Sequence, residues 1–103
     1  MGEMNTEELK AKIINWAAER GILEHSTPQA QTLKAVSEIG ELADNIIKGR
    51  YDAARDDIGD VVVCLVLLSE MIGTDIESCL EEAWHEIKDG KGRMVPGGAF
   101  VKE

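Results

Sequence analysis

Through most of the chain, apolar residues recur every three or four positions, the spacing that places them on one face of a helix. Leu9, Ile13, Trp16 and Ala17 form the first such line, opened by Asn5 with Glu8 three residues on and stopped by Gly21. Gly21 to Thr27 reads as a connector, and Pro28 behind Ser26-Thr27 opens a second helix running to about Lys48. Leu33, Val36, Gly40, Ala43 and Ile47 are its apolar stripe, and Gly49 ends it. A third helix opens near Asp52 and carries Ile58, Val61, Val62, Leu65, Leu68 and Ile72. Because Val61 to Leu68 is apolar all the way round, this helix is expected to be covered on all sides, at the centre of a bundle or at a subunit interface. Gly73-Thr74 breaks the chain, Thr74 and Glu77 form a T-x-x-E capping box, and Ile76, Leu80, Ala83 and Ile87 share one face of a fourth helix. The pattern predicts an all-α four-helix bundle, a single domain over residues 1–103. Met1 to Met4 reads as a disordered lead, and the residues after Gly90 as a short irregular basic tail.

A second line runs along the second helix. Gln31, Lys34, Glu38, Glu41 and Asn45 are also spaced three or four apart, so a wholly polar stripe accompanies the apolar one. A solvated face produces the same pattern. The third helix changes the picture, since Asp57 and Asp60 lie at the mouth of its apolar segment, with Arg55 as the one cation close by in sequence. Glu38-Ile-Gly-Glu41 and Asp57-Ile-Gly-Asp60 are each a pair of acids on one helical face, and the turn-like Lys48-Gly49-Arg50-Tyr51-Asp52 between them folds one helix back on the other. The expectation is that four carboxylates meet. Like charges brought together raise one another's pKa, and burial opposes their ionisation further. A hard divalent cation with oxygen ligands relieves both costs, which points to a Mg2+ site, with Mn2+ as the substitute ion.

Composition narrows the function classes. Eleven Lys and Arg against twenty Asp and Glu give a net charge of −9, which argues against a nucleic-acid surface or an anionic-membrane surface. The longest apolar run is far shorter than a membrane span, and no secretory leader is evident in the polar, acidic start. Cys64 and Cys79 fall inside apolar helical patterns without CxxC spacing and read as reduced, packed thiols of a cytoplasmic protein.

Acids holding Mg2+ suit phosphoryl or nucleotidyl transfer, which mostly needs positioning and charge neutralisation. Lys34, with Lys88, Lys91 and Arg93 near the other end of the chain, is a candidate contact for phosphate oxygens. Trp16 or Trp84 is a candidate wall for a base, although core packing is the default expectation for each. A di-iron carboxylate bundle needs two Glu-x-x-His motifs, and Glu82-Ala-Trp-His85 has no second. No nucleophile arrangement or phosphate-cradling glycine loop stands out, which disfavours a covalent mechanism.

These residues resemble the MazG-like branch of the all-α NTP pyrophosphohydrolases. Its hallmark is Glu-x-x-Glu, a spacer, then Glu-x-x-Asp on the following helix; here the halves are Glu38 to Glu41 and Asp57 to Asp60, with fifteen residues between. Gln31-Thr-Leu-Lys34 ahead of the first half and Gly59-Asp60-Val61 inside the second also match, and the resemblance covers roughly Trp16 to Arg93. It implies Mg2+-dependent hydrolysis of a nucleoside triphosphate between the α and β phosphates, giving a monophosphate and pyrophosphate. Carried over, Glu38, Glu41, Asp57 and Asp60 are the catalytic metal ligands and Lys34 stands where the family often has a substrate-contacting lysine; Gln31, Asn45, Lys88, Lys91, Arg93 and Trp16 are the further candidate substrate contacts of this chain. It also implies a homodimer or homotetramer. Two departures stand out: Asp57 replaces the usual Glu, and Ser37 stands where many relatives carry an acid able to act as general base. They motivate a second reading, a catalytically weak helical module that binds nucleotide or a protein partner.

Overall fold

The structure, a computed structural model, describes residues 3–103; Met1 and Gly2 of the expected disordered lead lie outside the described residues. In chain order it contains α1 (Thr6–Glu19), α2 (Ile22–His25), α3 (Pro28–Ile47), α4 (Tyr51–Met71) and α5 (Ile76–Ile87), then two short strands, β1 (Gly92–Met94) and β2 (Phe100–Lys102). The all-α expectation holds, with the four long helices where the periodicity puts them.

Local chemistry sets the boundaries. Asn5 caps α1 by accepting the Glu8 N–H, and Thr27 caps α3 by accepting the Ala30 N–H, with Pro28 at the first helical position where its missing N–H costs nothing. At the end of α3 the Gly49 N–H reaches the Ile46 carbonyl and the Arg50 N–H reaches the Asn45 carbonyl, while Gly49 takes φ 72°, a left-handed conformation that glycine adopts without steric cost. Gly73 closes α4 in the same way. Three details depart from expectation. The connector after Gly21 winds into the single turn of α2. The cap of α5 is Asp75 rather than Thr74: Asp75 accepts the Ser78 N–H, whereas the Thr74 N–H completes the closure of α4 on the Ser69 carbonyl. The tail is not irregular, for β1 and β2 pair antiparallel with Arg93 opposite Val101.

The helix α4 is the central element: α1, α2, α3 and α5 each meet it. Ala54, Asp57, Cys64, Val66, Leu67 and Ser69 are buried along it. It is not covered all round, however, since Ile58, Val62, Leu65 and Ile72 remain exposed. Among the described elements α3 meets only α4, so the residues it buries, Gln31 and Ala35, face that helix. Its apolar stripe points the other way: Leu33 is 70%, Val36 61% and Ile47 82% exposed. Val36 and Glu38, two positions apart, project about 200° apart on a helix, so with the polar line turned toward α4 the apolar line must face outward. Both tryptophans are exposed, contrary to the core packing expected of them; Trp16 lies on α1 and Trp84 on α5. Among the described residues no helix is long and apolar enough to cross a membrane.

Candidate metal centre

The seam between α3 and α4 carries the acids. Because the turn Lys48–Gly49–Arg50 folds α4 back along α3, residues before it face residues after it, and the polar stripe of α3 lies against the Asp57 face of α4. Glu38, Glu41 and Asp57 come together: each offers a carboxylate oxygen, and these three oxygens lie within 4.8 Å of one another. The polar stripe is therefore not simply a solvated face. Asp60 is outside this group of three, yet its charge acts on Glu38 from the next turn of α4.

Glu38 is the strained member. Its Oε2 is, among the described residues, the buried side-chain oxygen left without a hydrogen-bond partner. Burial raises its pKa above the ordinary value; the charges of Glu41 and Asp60 and hydrogen bonding to Glu41 push the same way, while Lys34, one turn earlier on α3, opposes them. Asp57 is only 6% exposed and is held from across the seam, accepting a hydrogen bond from Asn45 Nδ2 at Asp57 Oδ2, 2.6 Å away. Cys64, buried on α4, is a free thiol; burial raises its pKa, with Lys34 opposing and Glu38 and Asp60 adding.

The donor set fits a hard divalent cation. It is all oxygen, three convergent carboxylates with one buried oxygen unpaired, and no histidine or thiolate belongs to it. A cation there would neutralise the repulsion that now acts on Glu38.

The other sequence-named residues are distributed unevenly. Lys34 stands beside the acids on the exposed edge of the seam. Gln31 is buried, and its Nε2 donates to Ser26 Oγ at 3.1 Å, which ties the start of α3 to the connector. The Asn45 amide is likewise engaged, by Asp57. Lys88 follows α5, Lys91 lines a hollow with Ile87 and Phe100, and Arg93 is on β1; neither α5 nor the hairpin meets α3 within one chain. Trp16 is on α1, which does not meet α3 either. Within one chain, Lys88, Lys91 and Arg93 therefore lie on or beside elements that do not meet α3. The Asn45–Asp57 contact was not foreseen from the sequence; their separation by twelve positions across a turn was the available signal.

Comparison with known proteins adds independent findings. Residues 26–90, which include α3, α4 and α5, match the family model described as the MazG nucleotide pyrophosphohydrolase domain. Over 76 residues the chain is 38% identical to an uncharacterised 18.2 kDa protein in the rep-hol intergenic region of Haemophilus phage HP1 (strain HP1c1). That match covers 74% of this chain and 45% of the phage protein, so the chain spans less than half the length of that relative. No solved structure matches.

Proposed function

The chain belongs to the MazG nucleotide pyrophosphohydrolase domain family, and from that premise we propose that it is a Mg2+-dependent nucleoside triphosphate pyrophosphohydrolase. Water adds to the α-phosphorus, the bond to the α,β-bridging oxygen breaks, and a nucleoside monophosphate and pyrophosphate leave. The observation that carries the reading is the convergence of Glu38, Glu41 and Asp57 around a buried, unpaired carboxylate oxygen.

In this reading Glu38, Glu41 and Asp57 hold the cation, with Asp60 beside them. When bound, Mg2+ supplies the positive charge that neutralises triphosphate oxygens and stabilises the charge developing on the leaving pyrophosphate. The chain does the positioning. Lys34, at the open edge of the seam, contacts a phosphate oxygen. Ser37 offers no base, so the proton of the attacking water goes to one of the motif carboxylates or to Asp56. A homodimer or homotetramer completes the molecule. It is supported by the outward stripe of Leu33, Val36 and Ile47, a row of large apolar side chains that water covers in the single chain. Lys88, Lys91 and Arg93 then meet the triphosphate from a neighbouring copy.

The test is pyrophosphate release from the eight common ribo- and deoxyribonucleoside triphosphates, with Mg2+ and with chelator. Release that needs Mg2+ and disappears in Glu41→Gln is expected. Nucleotide binding without any release would favour the second reading, a helical binding module, which Ser37 and Asp57 motivate.

A further inference from the structure

We propose that Asn45 is a positioning residue for the metal centre: it pins the Asp57 carboxylate across the α3–α4 seam and leaves one Asp57 oxygen free for the cation. The proposal rests on the metal-dependent reading above and assigns Asn45 a different task from contacting substrate. Asn45 is held at two points. Its carbonyl accepts the Arg50 N–H at 2.8 Å in the closure of the turn, and its side-chain Nδ2 donates to Asp57 Oδ2 at 2.6 Å. The first bond fixes the Asn45 backbone at the turn, and the second joins its side chain to the opposite helix.

Asp57 needs such a restraint. It has the shorter of the two acidic side chains, and it reaches the cluster from the opposite helix to Glu38 and Glu41. The rotation of a carboxylate about its last bond is soft, so an unrestrained Asp57 would spread its two oxygens over many orientations. With Oδ2 fixed by Asn45, Oδ1 is left as the free oxygen. An amide is also the right donor chemically. It offers an N–H without bringing a positive charge that would compete with the cation, and it adds no negative charge to a crowd that already raises the Glu38 pKa. Partners that orient metal-binding side chains in this way change affinity by about 10- to 100-fold when removed.

The experiment is Mn2+ binding to the full chain without nucleotide, read by electron paramagnetic resonance. Asn45→Ala and Asn45→Leu are each made in the wild-type and in the Asp57→Ala background. In the wild-type background both variants are expected to weaken Mn2+ binding by about 10- to 100-fold. In the Asp57→Ala background they are expected to weaken it no further, because Asn45 acts through Asp57. Far-UV circular dichroism checks that helix content is retained, and Asn45→Leu keeps the side-chain volume should Asn45→Ala lose its fold. Wild-type affinity in both Asn45 variants would overturn the positioning role alone. So would unchanged Mn2+ binding with weakened nucleotide binding, which would return Asn45 to the substrate. Loss of folding in both variants would make Asn45 purely structural and overturn the proposal too. Absence of Mn2+ binding in the wild type would overturn the metal reading itself, and this inference with it.

Discussion

Glu38 illustrates how a single side chain records what its surroundings lack. A carboxylate with one oxygen buried and unpaired, beside two further acids, is costly in the metal-free protein. Glu38→Gln removes the charge but keeps the shape, so the urea midpoint of this variant in chelator should lie above that of the wild type. Adding Mg2+ should then raise the wild-type midpoint and leave the variant nearly unmoved. The acids themselves were legible in the sequence because spacings of three on a helix fix a shared face whatever else the chain does. The role of Asn45 was not legible, since its partner depends on how two helices are registered, which no local pattern encodes. The Gln31 contact was not legible for the same reason: its place in the polar stripe was readable, but not that its Nε2 donates to Ser26 in the connector.

At the scale of the helices, caps and stops decide the outcome. Thr27→Ala removes the acceptor for the Ala30 N–H and should lower stability by about 1 kcal/mol, read from equilibrium urea unfolding. The cap of α5 adds a pH dependence. The Ser78 backbone N–H, then its hydroxyl, hold the Asp75 carboxyl below its ordinary value of 3.8, with burial opposing and Lys10 helping. A depressed carboxyl contributes stability that is present above the unfolded-state value and is lost as pH falls through the folded one. Acidification below about pH 4 should therefore fray α5 in the wild type, while Asp75→Asn, which caps without titrating, should lack this component; circular dichroism across the range distinguishes them. Glycine stops and proline starts made the long helices readable. The single turn of α2 is too short for any periodicity, and strands of three residues closed at Gly97-Gly98 carry too little pattern to separate a hairpin from a loose tail. Thr74 and Asp75 both offer a side-chain oxygen at the α5 entrance, and only the closure of α4 decides between them.

For the whole molecule, the orientation of α3 matters most. Periodicity identified an apolar and a polar line on this helix without saying which faces inward; the polar line occupies the seam and the apolar line is left outside. The acids that converge in the seam take the inner position, and a second copy is what the proposed assembly sets against the outer one. Leu33→Glu should shift the sedimentation coefficient toward that of a monomer while leaving helix content intact. Saturating Mg2+ should stabilise the folded protein by mass action, by about 2.7 kcal/mol at a hundredfold excess over its dissociation constant.

The three-residue corner at Lys48–Gly49–Arg50 carries a further consequence. Surface loops usually tolerate a change of length, but this corner sets the register of α4 against α3, and an extra residue wound onto the start of α4 would turn the rest of that helix by about 100° relative to the corner. Asp57 would swing out of reach of Glu38 while both helices stayed wound. A one-alanine insertion after Arg50 should keep its helix content by circular dichroism and weaken Mn2+ binding, because the corner holds the two halves of the acid cluster in register.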